Sequence, residues 1–212
     1  MRIFFFLISG CLVSIMAGCN PETRTLPILG AREPVTKVVD GKTITDTVYH
    51  SIPEFQLLNQ DSILITNHTF DNGVYIANFF FTHCPSICPI MQRNLLKVYE
   101  QYKGDERVRF LSHSIDFRYD SPSVLKRYAE KLGVTNDQWQ FVTGSKAEIY
   151  GLADSYMVYT KEDSGVPGGY DHSGYFLLVD EDKHIRGVYD GTNDDQVQLL
   201  FDELAMLLKE YE

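Results

Sequence analysis

The chain has 212 residues, with 19 lysines and arginines against 29 aspartates and glutamates, a formal net charge of −10. That balance excludes the broad basic surface that nucleic acid rewards, while metal ions and cationic proteins stay open as partners. Four cysteines are too few for a disulfide-built scaffold of this length.

Residues 1–18, MRIFFFLISGCLVSIMAG, place a single charge at Arg2 ahead of an apolar run that ends in small residues. This is the layout of a secretory signal peptide, and the run is short for a membrane crossing. An N-terminal anchor that is never cut is the competing reading. M-A-G-C at 16–19 resembles the lipobox of bacterial lipoproteins, so Cys19 is expected to become the lipidated first residue of the mature chain. The other candidate, I-S-G-C at 8–11, leaves too short an apolar segment before it. Residues 19–49 are polar, with prolines at 21, 27 and 34, and read as a tether holding a domain off a membrane. One local element is expected there, a short hairpin around Asp40–Gly41. Residues 50–212 form the domain proper; the chain from Cys19 to Glu212 is long enough to bury roughly 70% of its unfolded surface as one domain.

In chain order, IPEFQLLNQDSILITN predicts two short strands about a turn at Asn59–Ser62. VYIANFFF (74–81) is a continuous apolar run, suited to a central strand covered on both faces. PIMQRNLLKVYEQY (89–102) follows with Ile90, Leu95 and Val98 at helical spacings, one apolar stripe of a helix. RVRFLSHSID (107–116) predicts a second buried strand. The helix SPSVLKRYAEKLGV comes next, with Ser121 as cap, Pro122 first and Gly133 as stop. QWQFVT reads as a strand and SKAEIYGLADSY as a helix. YFLLVD (175–180) and HIRGVYD (184–190) read as a hairpin, and a final amphipathic helix runs from about Asn193 to Tyr211. The sum is an α/β sandwich with a central mixed sheet and a late added hairpin.

With Cys11 removed in the leader and Cys19 lipidated, Cys84 and Cys88 remain, in FFFTHCPSICPIMQ. On a regular helix their Cβ atoms would lie about 5–6 Å apart, too far for a disulfide but suitable for two thiolates sharing an ion. The prolines change this. Pro89 fits as the first helical residue with Cys88 as the cap, which makes Cys84–Cys88 a stiff turn at a helix N-terminus. Such a turn also permits a disulfide, so spacing alone leaves electrons and metal both open. Either chemistry gains from the helix end, which favours thiolate over thiol. The bland alternative is two small apolar side chains packed under a helix.

Of six histidines, His50 and His68 lie in polar, loop-like surroundings. His83 adjoins Cys84, but its side chain is free to diverge from the sulfur. His113 ends a strand and His184 opens one. His172 closes the glycine-rich stretch SGVPGGYDHSG just before YFLLVD. A histidine at the start of a strand meets a cysteine at the end of another only if the two strands are antiparallel, as the added hairpin allows.

Strand–FTHCPSICP–helix, then FLSHSIDFRYDSPSVLKRYAEKLGV, then DHSGYFLLVDEDKHIRGVYDG together resemble the SCO/SenC family, over about residues 50–212. The resemblance implies a thioredoxin-like fold and a copper site made by Cys84, Cys88 and His172. It implies structural or surface-shaping roles for Asp116 and Asp120. It also implies service to cytochrome c oxidase, by delivering copper to, or reducing the cysteines of, its binuclear copper centre. Expected partners are that copper-site subunit, a copper donor or a thiol reductase, and a membrane reached through Cys19. The expected location is the bacterial cell envelope, facing the periplasm or extracytoplasmic space. Two positions depart from the family pattern: Ser86 stands where many members have aspartate between the cysteines, and Phe117 where a proline is usual.

Two thiolates suit Cu(I), and an added imidazole makes the set acceptable to Cu(II). A metallochaperone is therefore expected rather than a turnover enzyme. The alternative is a thiol–disulfide oxidoreductase acting on a copper-site partner; against ordinary thioredoxin chemistry, the segment before the late strand reads Y-D-H-S-G, without proline. A peroxidase using Thr82 or His83, and an acidic protein-binding scaffold, are the weaker readings.

Overall fold

The computed structural model describes residues 25–211, so the leader, Cys19 and the first tether residues lie outside the described residues. In chain order the elements begin with strands β1 (Arg32–Val39), β2 (Lys42–Tyr49), β3 (Gln56–Asn59) and β4 (Leu64–Thr66), followed by a 3₁₀ turn (Asn67–Phe70). Strand β5 (Val74–Phe80), helix α1 (Cys88–Gln101), β6 (Val108–Ser114), α2 (Pro122–Leu132), β7 (Trp139–Thr143) and α3 (Lys146–Ser155) form the alternating middle. Two short strands, β8 (Thr160–Glu162) and β9 (Tyr170–His172), precede β10 (Tyr175–Val179), β11 (Ile185–Asp190) and α4 (Asp194–Glu210).

The main sheet has seven strands in the order β11-β10-β5-β6-β7-β3-β4. β5, β6 and β7 are parallel, whereas β10 joins β5 and β3 joins β7 antiparallel. This is the mixed sheet of a thioredoxin-like fold. All seven residues of β5 are buried, as its unbroken apolar run requires for a strand covered on both faces. A stacked aromatic layer, Trp139 on Phe141 with Phe110 and Tyr99 beside them, fills one side of the sheet. The helix ends follow local chemistry. Ser145 and Glu148 make a reciprocal capping box on α3, and Asn193 caps α4 through the N–H groups of Asp195 and Gln196. Gly133 takes the left-handed conformation that closes α2.

Three readings need correction. Helix α1 begins one residue earlier than its prolines indicated: Ile87 caps it, Cys88 is the first helical residue and Pro89 the second. Proline is tolerated there because the first-turn N–H groups have no intrahelical acceptor. Ile90 is exposed, and Met91 takes the inward position with Leu95 and Val98. The glycine-rich stretch before His172 is framed by an antiparallel pair, β8 with β9, in which Thr160 lies opposite His172.

Contacts with the domain also begin well before His50. Leu26 is buried, its N–H donates to Glu210 at 2.7 Å, and Leu29 N–H donates to the Ile185 carbonyl at 2.8 Å. The buried Arg186 guanidinium donates to the Leu26 carbonyl and binds Asp180 and Glu210. Between Arg32 and Tyr49 the hairpin anticipated at Asp40–Gly41 is present, each strand eight residues long and almost wholly exposed.

Candidate metal centre

β5 ends at Phe80, so the turn 81–87 emerges at the carboxyl end of the parallel strands, where loops gather in open α/β sheets. Cys84 and Cys88 lie on that turn and the first helical position. Because β10 runs antiparallel to β5, the loop entering β10 returns to the same end and brings His172 there. One donor atom from each of Cys84, Cys88 and His172 lies within 4.8 Å of the others, and all three residues are buried. No other such group of histidine, cysteine or acidic residues occurs among the described residues.

His172 Nε2 sits 3.4 Å from Cys88 Sγ. Its Nδ1 is 3.2 Å from the Ser173 carbonyl, which can only accept, so that nitrogen carries the proton and Nε2 offers its lone pair to the sulfurs. The two thiols share one proton asymmetrically. Hydrogen bonding from Cys88 holds Cys84 far below an ordinary thiol, helped by the backbone N–H groups of Ser86 and Cys88, with burial opposing. The same hydrogen bond, burial and the charge on Cys84 push Cys88 up. The reduced pair is thus held as a thiolate beside a thiol, and a bound cation would displace the remaining proton. Two thiolates and an imidazole, with no fourth side chain in the group, suit a soft ion in a low-coordinate site.

Neighbouring residues fix this turn. Asp120, 1% exposed, accepts from the Thr82 N–H at 3.0 Å, the Thr82 hydroxyl at 2.5 Å and the Ser114 hydroxyl at 2.6 Å. Asp116 accepts from the Tyr170 hydroxyl at 3.0 Å and from the N–H groups of Arg118 and Tyr119, and His83 Nε2 stands 3.5 Å from its other oxygen. Phe81 lies under the site, with ring contacts to Tyr170, His172 and His83. Gly168 packs against it at φ +89°, where a Cβ would come within 2.8 Å of the Phe81 ring. The D-x-x-x-D pattern pointed to the two aspartates. Their hydroxyl partners Thr82, Ser114 and Tyr170 carry no spacing signal, being brought to the aspartates by the tertiary fold.

The other histidines lie elsewhere. His83 is half exposed and turned to Asp116, His113 is enclosed in the core, and His50 meets the Ser155 carbonyl at 2.7 Å. His68 pairs with Asp71 at the surface and His184 with Asp180.

The SCO1/SenC family model matches residues 45–208. The SCO1 protein homolog of Bacillus subtilis is 31% identical over 160 residues, covering 73% of this chain and 81% of that protein. A SCO1/SenC family lipoprotein from Bacillus anthracis superposes with a TM-score of 0.68 at 25% identity, over 74% of this chain and 95% of that chain. BsSco, a member of the Sco family of cytochrome c oxidase assembly proteins in which a disulfide switch has been identified, superposes at 0.66 with 27% identity, covering 74% and 93%. ScoI of Bradyrhizobium japonicum, solved with copper bound, shares the fold at 0.60 with 24% identity, covering 71% and 98%. A family match that spans most of the folded chain, together with a curated relative at this identity, decides the assignment: the chain belongs to the SCO1/SenC family.

Proposed function

We propose that the protein is a membrane-tethered copper chaperone that holds copper through Cys84, Cys88 and His172 and passes it to the binuclear copper centre of cytochrome c oxidase. The observation that carries this reading is the single buried group of two sulfurs and one imidazole nitrogen, all within 4.8 Å. Soft thiolates favour Cu(I), and three donors leave a coordination position through which a recipient's ligand can enter before the ion is released. The role in oxidase assembly draws on the family and on what is known of BsSco. Lipid anchoring at Cys19 and an extracytoplasmic location draw on M-A-G-C at 16–19 and on the lipoprotein from Bacillus anthracis. A leader over 1–18, a linking segment over 19–49 and a metal-binding domain over 50–212 are the division this reading uses.

A second reading has its own support. A thiolate beside a thiol at a helix N-terminus is also the starting state for disulfide exchange, so reduction of a partner's copper-site cysteines is the alternative. Anaerobic Cu(I) titration followed by native mass spectrometry separates the two. The chaperone reading expects one tightly held ion per chain in the wild type and weakened binding in Cys84→Ser, Cys88→Ser and His172→Ala. Undiminished binding in His172→Ala would sink the proposed ligand set. Rapid turnover of a generic disulfide, unchanged in that variant, would move the assignment to the reductase. Zinc accepts the same donors, so Zn(II) competition belongs in the same series.

A further inference from the structure

We propose that a buried row of hydrogen-bond donors runs from Trp139 to Cys88, and that its last member, Gln92, is a positioning residue whose amide donates to the Cys88 sulfur when copper is bound. This rests on the copper reading above. The first half of the row is paired. Trp139 Nε1 donates to the Ser112 hydroxyl at 2.9 Å, and that hydroxyl donates to Asn78 Oδ1 at 2.6 Å. The second half is not. Asn78 Nδ2, Gln92 Oε1 and Gln92 Nε2 have no hydrogen-bond partner among the described residues, and both side chains are buried. An enclosed amide with neither end bonded is costly, and a leucine would fill much the same space without that cost. A glutamine here therefore calls for a partner.

The fold sets the two halves against each other. Asn78 and Ser112 are register partners on β5 and β6, two residues beyond Ile76 and Phe110, and Phe110 is in turn the partner of Trp139. Tyr99 of α1 rests on Phe110 and Trp139. Seven residues make two helical turns, so Gln92 shares the stripe of Tyr99, about 10 Å nearer the start of α1. Because α1 joins two parallel strands, it runs back along them, and its start lies at their carboxyl ends. Asn78 and Ser112 lie about 7 Å beyond Ile76 and Phe110 in that same direction. Cys88 is one further turn along the stripe. Helical side chains lean toward the N-terminus, so the Gln92 amide extends from the level of Asn78 toward Cys88.

The valences match. Asn78 Nδ2 donates to Gln92 Oε1, across at most one water, and Gln92 Nε2 remains to donate to sulfur. Bound to copper, Cys88 is a thiolate, and hydrogen bonds to a ligand sulfur tune how firmly it holds the ion. Every donor in the row points the same way, so each bond polarises the next.

Gln92→Leu nearly keeps the volume and removes both amide atoms; Gln92→Met takes its place if that variant does not fold. Anaerobic Cu(I) competition on the full chain should show an affinity about tenfold or more below wild type, the usual loss for an outer partner of a metal ligand. Without copper, the variant should unfold in no less urea than the wild type, because an unpaired amide has gone. Trp139, the sole tryptophan, reports from the far end of the row. Its indole N–H, followed by proton–nitrogen NMR with diamagnetic Cu(I), should shift on copper binding in the wild type and lose most of that shift in Gln92→Leu. Equal Cu(I) affinities would overturn the inference, as would an indole shift that survives the substitution. A copper-free variant less stable than the wild type would overturn it too, marking the glutamine as structural. A wild type that holds no Cu(I) overturns the copper reading and this inference together, whereas a copper-binding wild type with an unaffected variant overturns the inference alone.

Discussion

Thr82 donates to Asp120 twice, through its backbone N–H at 3.0 Å and its hydroxyl at 2.5 Å, two residues before Cys84. Asp120 sits across the parallel pair formed by β5 and β6 and also takes the Ser114 hydroxyl, so one buried carboxylate ties the cysteine turn to the neighbouring strand. Asp120→Ala is expected to leave three donors without this acceptor and to cost about 2–4 kcal/mol, with Thr82→Val costing about 1–2 kcal/mol. Urea unfolding of both single variants and the double variant checks this. The cycle should show coupling of about 1 kcal/mol or more, and strict additivity would deny that the two residues act together.

Gly168 and Gly169 offer a controlled comparison. Both have positive φ, +89° and +81°, but a Cβ at 168 meets the Phe81 ring and the Pro85 Cδ, whereas at 169 nothing lies within 4 Å. Alanine at 169 should carry only the backbone penalty of about 1 kcal/mol. Alanine at 168 should cost about 1–3 kcal/mol more, because the loop must lift from Phe81, and it should weaken Cu(I) binding by moving His172. Equal Cu(I) affinities in the two variants would show that this packing does not position the histidine.

Burial of His113, stacked on Phe79 with Nδ1 toward the Asn78 carbonyl, pushes its pKa down to about 4. The unfolded chain, near 6.5, then binds the proton first as pH falls. The stabilising effect is complete above about pH 6.5 and is lost progressively down to about pH 4. Between about pH 7 and pH 5 this one residue should remove about 2 kcal/mol of stability. His113→Phe should lose that part of the pH slope. Urea unfolding at the two pH values measures it, and equal slopes in variant and wild type would refute the assignment.

Much of the fold was legible because its elements announce themselves locally. The unbroken apolar run of β5, Ser121-Pro122 before α2 and Gly133 after it each carry their own stereochemical reason. The cysteine pair was legible as a site for the same reason; for His172 the antiparallel return of the late hairpin only allowed a meeting with the cysteines, and the family resemblance supplied it as the third ligand. Other features were set by partners distant in sequence. β8 and β9 are three residues each and exist through their pairing across a glycine-rich turn. Leu26 reads as part of a tether until Arg186, 160 positions later, supplies the group that holds its carbonyl. The Tyr170–Asp116 bond likewise joins residues 54 positions apart.

The central claim is that one pair of sulfurs serves both thiol and metal chemistry. A Cys84–Cys88 disulfide consumes both thiolates and leaves His172 as the only remaining donor of the group, so copper must bind the reduced form selectively. Selective binding to the reduced product raises the potential of the disulfide/dithiol couple. The rise is about 30 mV for each tenfold excess of free Cu(I) over its dissociation constant. Redox titration of the full chain, with and without Cu(I) in a buffer that does not strip the ion, measures this directly. The account predicts a higher potential with copper and a smaller rise in His172→Ala; identical potentials with and without copper would contradict it.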